Sequence, residues 1–310
     1  MKKFMLISLA ILLSGLLFAA DGRFVYPLVQ VQDGDVQNII AENDQVLAYN
    51  NRQLWIYTLF NPLQPKLEAS YISTHKMEDV NLQGNSYIYV SSQEPSMSLN
   101  AVETLGQLGR IYFTNTLIGD KIRREGATLY VADRYRGIDI INVGRGGSND
   151  FLGNFAEKWG IRDFDAEYPY LYALNDFGFA MIDVSDLSYP IGVSTYYQIS
   201  DATMLVKDGD YVYIGAGQDL FVLSIRQLDK PTLISQYRLP NEIQAMKIKD
   251  KRLFMALGRG GVKILDIGTA NQIRDINTFY PPGAAVDIEL YNDYIFVAMG
   301  KDGWVIYEYK

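Results

Sequence analysis

The chain of 310 residues contains no cysteine. That absence excludes disulfide frameworks, thiolate zinc sites, iron–sulfur clusters, covalent haem attachment and thiol catalysis. Histidine occurs once, at His75, so a multi-histidine metal site is excluded as well. Basic charge is in short supply: 28 Lys and Arg stand against 36 Asp and Glu, a net charge of -8. An acidic chain is poorly suited to nucleic acid, because phosphate contacts need a basic face. Polar bias is lacking too. With 48% hydrophobic and 21% charged residues, the chain can bury a sizeable core, and wholesale disorder is a poor reading.

What is there begins with a leader. Lys2 and Lys3 precede an apolar run from Phe4 to Leu17, then Phe18-Ala19-Ala20 and polar Asp21-Gly22-Arg23. This order of charge, hydrophobe and small residue is that of a secretory signal peptide, and the run is short for a bilayer span of about 20 residues. The expectation is a signal peptide over residues 1–20, cut near Ala20, and a single domain over 21–310 that is periplasmic or secreted. Without cysteine there is no lipobox for a lipid anchor. No later segment reaches the ~18 apolar residues of a membrane helix.

An internal repeat governs the rest. Seven short apolar runs begin at Val46, Ile88, Leu129, Leu171, Val212, Leu253 and Ile295, spaced by 41 or 42 residues. Each is apolar at consecutive positions, as a strand covered on both faces must be. A second apolar strand follows, as in Leu54-Trp55-Ile56-Tyr57 and Val262-Lys263-Ile264-Leu265, with Gly137, Gly178, Gly261 and Gly303 just before it, where a tight hairpin needs positive φ. Weaker strands flank each pair, for example Leu67–Tyr71 and Leu233–Tyr237.

Four strands per unit of about 41 residues is the signature of a propeller blade. The expected fold is all-β: a seven-bladed β-propeller of four-stranded antiparallel blades. The last unit stops at its third strand, Trp304–Tyr307, while Phe24–Val31 is a strand without a unit. Pairing the two closes the ring and completes blade seven. A transmembrane barrel fits less well, because its strands run about ten residues and alternate apolar with polar.

Between the second and third strands of several units stand Asp183-Val184-Ser185-Asp186-Leu187-Ser188-Tyr189-Pro190, Asn61-Pro62-Leu63-Gln64-Pro65 and Ile225–Pro231. Together with the strand ending Met181-Ile182-Asp183-Val184, this resembles the LVIVD repeat of exported bacterial β-propeller proteins. The likeness runs from about Phe24 to Lys310 and is weakest in the second unit. It implies a propeller outside the cytoplasm and an interaction protein, and no reaction. Asp, Asn, Ser and Pro are also what a connecting turn selects on its own.

Ligands of propellers usually meet the loops between strands, and Arg and Tyr are over-represented at binding hot spots. The expected partner-binding residues are therefore Arg52, Arg134, Tyr135, Arg136, Arg259 and Lys301, facing a protein or cell-envelope component. The second unit inserts Gln93-Glu94-Pro95-Ser96-Met97 where a binding loop would sit. Asp79, Asp120, Asp163 and Asp287 recur at the start of the first strand of their units. They form a possible Ca²⁺ site, set against the simpler reading in which each bonds backbone amides between blades. No other cofactor is expected. Ser73, His75 and Asp79 are too weak a grouping for a triad, and Gly144–Gly147 and Gly258–Gly261 lack the helix that a phosphate cradle needs. The leading expectation is a non-enzymatic binding protein. A carboxylate-dependent polysaccharide hydrolase or lyase is the alternative, since paired carboxyls suffice for glycosidic acid–base chemistry.

Overall fold

A computed structural model describes residues 17–18, 24–73, 76–83, 86–93, 96–103, 112–116, 119–133, 136–143, 149–156 and 160–310. Two strands lead, β1 (Leu17–Phe18) and β2 (Phe24–Val31). One sheet follows in chain order from β3 (Asn38–Glu42), β4 (Gln45–Tyr49), β5 (Gln53–Thr58) and β6 (Lys66–Ile72). The next comprises β7 (Lys76–Gln83), β8 (Ser86–Gln93), β9 (Ser96–Glu103) and β10 (Tyr112–Thr116). A third holds β11 (Lys121–Glu125), β12 (Thr128–Asp133), β13 (Gly137–Val143) and β14 (Asn149–Phe155). Then come β15 (Asp163–Glu167), β16 (Tyr170–Asn175), β17 (Gly178–Asp183) and β18 (Ile191–Tyr196), and after them β19 (Met204–Asp208), β20 (Tyr211–Ala216), β21 (Asp219–Ser224) and β22 (Thr232–Arg238). A sixth sheet runs through β23 (Ala245–Lys249), β24 (Arg252–Ala256), β25 (Val262–Asp266) and β26 (Arg274–Phe279). The chain ends in β27 (Asp287–Tyr291), β28 (Tyr294–Ala298) and β29 (Trp304–Tyr309), whose sheet continues through β2 to β1.

The fold is an all-β propeller, and the expected seven four-stranded blades need correction. Six sheets hold four strands, and the sheet containing the chain's end holds five. The fifth strand is β1, which pairs Leu17 with Val25 and Phe18 with Phe24 on the outer edge of β2. Read as a removable leader, residues 1–20 belong to no sheet, whereas Leu17–Phe18 joins this one. An unpaired strand edge is a template for an added strand, and the preceding segment meets it.

A shared irregularity shows how alike the sheets are. In all six four-stranded sheets the register between third and fourth strands slips once, at Ile56/Tyr57, Ser98/Leu99, Ile140/Ile141, Met181/Ile182, Val222/Leu223 and Ile264/Leu265. In each case one residue of the fourth strand bulges out, such as Glu68 or Val193. β2 does the same against β29, skipping Leu28 between Pro27 and Val29. It therefore behaves as a fourth strand in its irregularity as well as its position. A bulge of this kind increases local twist.

Turns are set by residues that tolerate positive φ. Asn43-Asp44 and Asp250-Lys251 join first to second strands with φ of 49° and 57°, and 50° and 56°, as type I′ hairpins require. The glycines before third strands have a further role. A Cβ on Gly178, Gly261 or Gly303 would lie 2.2, 2.3 or 2.0 Å from the carbonyl oxygen of Tyr196, Phe279 or Val31. Glycine thus lets the hairpin lie against the fourth strand's end.

The described chain forms two compact units, Met1–Ile72 with Pro240–Lys310, and Ser73–Leu239. In the first, the core lies between facing sheets: Val25, Phe254, Phe279, Val297 and Tyr307 in one cluster, and Val29, Val31, Trp55, Phe296 and Trp304 in another. Trp304 is fully buried, edge-on to Tyr57 at 5.1 Å. In the second, Tyr130, Ile140, Phe164 and Leu171 pack together, as do Leu174, Phe179, Leu205 and Ile214. Fourth strands such as β6 and β22 are exposed along most of their length. Among the described residues, no helix is long and apolar enough to cross a membrane.

Candidate functional site

Two sets of side chains emerge from this scaffold, one holding first strands together and one displayed on hairpin tips. First strands lie side by side within each unit: β7, β11, β15 and β19 in one, β23, β27 and β3 in the other. Asp79, Asp163 and Asp287 bridge them. Asp79 Oδ2 accepts from the Ile122 amide at 3.0 Å, Asp163 Oδ2 from Leu205 at 2.9 Å, and Asp287 Oδ2 from Ile39 at 2.9 Å. Each acceptor sits at or near the start of one first strand, and each donor is the second residue of the next. Asp79 and Asp287 also accept from the amide that follows them, those of Val80 and Ile288. Asp120 is half-buried just ahead of β11, and its own amide donates to the Ala132 carbonyl at 2.8 Å.

Charge compensates this burial unevenly. Arg123 reaches Asp79 with Nη1 at 3.4 Å and Asp163 with Nη2 at 3.2 Å, its guanidinium 5.6 Å from the centre of the Phe164 ring. Burial pushes the Asp163 carboxyl above the usual carboxylate range, against the pull of Arg123 and Lys121. Loss of hydration likewise raises Asp287 to about 6, opposed by Lys247 and the Ile39 amide. Lys247 itself pairs with Glu289 at 2.8 Å, and Lys207 with Glu167. Among the described residues, no group of three or more His, Asp or Glu side chains is arranged to hold a metal ion.

The basic residues lie elsewhere, on the tips between second and third strands. The tips 257–261 and 299–303 share one backbone. Leu257 and Met299 donate to the carbonyls of Gly261 and Gly303, while Gly258 and Gly300 have φ of 56° and 59°. Arg259 and Lys301 occupy the same exposed place on these two tips. On the neighbouring tip, Asn50 Oδ1 accepts from the amides of Arg52 and Gln53, both at 2.8 Å, and Arg52 is exposed. Asn175 shapes the 176–177 tip in the same manner.

Connectors pin the three tips of the first unit in a row. Gly258 and Ala285 exchange backbone hydrogen bonds at 2.8 and 2.9 Å, which ties the Arg259 tip to the segment before β27. Val36 and Gly300 do the same, and Asn50 Nδ2 donates to the Asp35 carbonyl at 2.7 Å, so residues 35–37 link the Lys301 and Arg52 tips. Arg259, Lys301 and Arg52 are thus on consecutive tips of one connected face. Arg136 is exposed on the turn before β13, in the other unit. Arg134 and Tyr135 lie outside the described residues, as do His75 and Gly144–Gly147.

The inserted loop of the second unit proves to be mostly strand: Gln93 pairs with Ser96 and Ser92 with Met97, so the extra residues lengthen the hairpin, with Glu94 and Pro95 outside the described residues. Tyr280, 67% exposed, went unnoticed in the sequence although a signal existed. It stands nineteen residues after Gly261, as Tyr197 stands nineteen after Gly178, and each follows an aromatic that ends a fourth strand. Arg123 was missed because its two partners are 44 and 40 residues away, close to one repeat in either direction.

Comparison with known proteins agrees with this architecture. The LVIVD repeat family matches residues 168–198, 201–238 and 282–307. No curated protein matches the chain. Among solved structures, the WD40 β-propeller domain of Doa1 is 11% identical with a TM-score of 0.69, covering 95% of this chain and 97% of that one. The computationally designed Ika8 protein is 10% identical with a TM-score of 0.68, over 91% of this chain and 99% of its own. PorZ, an essential bacterial surface component of the type-IX secretion system of Porphyromonas gingivalis, is 12% identical with a TM-score of 0.62, over 91% of this chain and 37% of PorZ. At such identities these likenesses bear on the fold alone.

Proposed function

We propose that this LVIVD-repeat β-propeller is a non-enzymatic, exported protein that binds a protein or cell-envelope partner through its hairpin-tip face. The observation that carries this reading is the row of exposed cations, Arg259, Lys301 and Arg52, on three tips tied together by backbone hydrogen bonds. Backbone anchoring matters because a side chain presented from a fixed turn loses less conformational freedom on binding. The carboxylates argue in the same direction. Asp79, Asp163 and Asp287 spend their oxygens on amides between strands rather than on an open acid–base pair. Export rests on the leader-like order of residues 1–23.

The test is affinity capture from the native cell envelope with wild type and the Arg52→Ala/Arg259→Ala/Lys301→Ala variant, with Arg136→Ala assayed alongside. The expected outcome is a partner recovered by wild type and lost from the triple variant. Equal recovery of every protein by both would remove the tip face from consideration.

A further inference from the structure

The tip face carries one feature that narrows what it binds. Between the Arg259 and Lys301 tips runs the connector 280–286, which starts at Tyr280 and passes Pro281 and Pro282. The Tyr280 ring lies over Gly261, its Cδ1 2.9 Å from where a Cβ would be, so the ring is seated on the Arg259 tip while 67% of the residue stays exposed. At the other end, Gly283 lies beneath Asp302: a Cβ there would be 2.6 Å from Asp302 Oδ2, so that carboxylate folds back over the connector. The other carboxylates of these connectors also turn inward or sideways. Asp287 accepts from two amides, Asp33 from the Tyr57 hydroxyl at 2.6 Å, and Asp35 from the Gln37 side chain. Exposed along this stretch of a chain of net charge -8 are a cation, Arg259, the Tyr280 ring, Pro282 and a second cation, Lys301, with Asp302 exposed beside it and Pro281 buried.

We infer that the stretch Arg259–Tyr280–Lys301 binds an acidic, extended polypeptide segment, with carboxylates on the two cations and an apolar side chain on the Tyr280 ring. The inference rests on the tip face being the binding face. A guanidinium is matched to carboxylate by its paired N–H groups, and a large exposed aromatic between charges supplies the apolar contact that ion pairs at a surface lack. Surface ion pairs alone contribute little, so the ring must carry part of the affinity. A polypeptide fits better than a small ligand because Arg259, Tyr280 and Lys301 are exposed, whereas small ligands favour concave sites that bury most of their surface.

The probe is a fluorescent decapeptide of alternating glutamate and serine with a central tryptophan, and the control is its glutamine counterpart. Both are titrated by anisotropy against the chain lacking residues 1–20. Arg259→Glu/Lys301→Glu is expected to weaken the acidic peptide at least about tenfold, and Tyr280→Ala about threefold. Lys230→Glu, on an exposed turn of the other unit, is expected to leave binding unchanged. Binding should weaken as sodium chloride is raised, and the glutamine peptide should not bind. Acidic-peptide binding that survives the double reversal overturns the inference. So does polygalacturonate binding that depends on the tips when the peptide shows none; in that case the face stands and the ligand class is wrong. If, in addition, envelope capture is indifferent to the tip substitutions, the broader reading falls as well.

Discussion

Single residues here do two kinds of work, and substitutions separate them. Gly303 has φ of 77°, and a Cβ on it would lie 2.0 Å from the Val31 carbonyl oxygen, while Gly209 has φ of 55° with nothing within 4 Å. Gly209→Ala should cost about 1 kcal/mol, the penalty of a left-handed residue alone. Gly303→Ala adds a collision between β29 and β2 and should cost about 3 kcal/mol or more, read from urea unfolding. Equal costs would mean the close approach is relieved elsewhere. Asp287 supplies a pH dependence. Its carboxyl is raised to about 6 in the folded protein, so between about pH 4 and 6 the folded state keeps a proton that the unfolded chain releases. Its contribution is therefore favourable at low pH and is lost as pH rises through about 6. Asp287→Asn does not titrate, so the stability of wild type relative to this variant should decline by about 1–2 kcal/mol between pH 4 and 7. A difference that is flat or grows with pH would contradict the assignment.

At the scale of elements, β2 decides whether the last sheet is complete. It pairs six residues with β29 and buries Val25, Val29 and Val31 in the clusters that hold Tyr307 and Trp304. Removing residues 1–31 should cost about 5 kcal/mol, given about 1.5–3 kcal/mol for each fully buried aliphatic side chain, taken as an upper range. Removing residues 1–20 takes away, among the described residues, the two-residue pairing of β1 and should change the stability by less than about 1 kcal/mol. Thermal and urea melts of the two truncations and the full chain make the comparison. Similar melting of all three would show that β2 is dispensable. The skipped Leu28 matters here: a strand that bulges where every matching fourth strand bulges is fitted to its place rather than attached in passing.

At the scale of the whole molecule, what could be read without coordinates was whatever recurs locally. The spacing of 41 or 42 residues, the apolar strand cores and the glycine before four of the third strands follow from burial on two faces and from φ, which neighbouring residues alone determine. The aspartates were legible as a repeated position, and Asp79, Asp163 and Asp287 bond to the next strand's amides. Tertiary structure decided what depends on residues one repeat or more apart. Leu17–Phe18 joins a sheet because a free edge happens to lie beside it. Arg123 serves two aspartates because three first strands run side by side. The register slips because two strands twist together, and Tyr280 lies against Gly261 because the fourth strand returns to its own hairpin tip. Local pattern specifies the strand; which strands face each other, and so which side chains form a surface, is settled by packing between segments that the linear order keeps far apart.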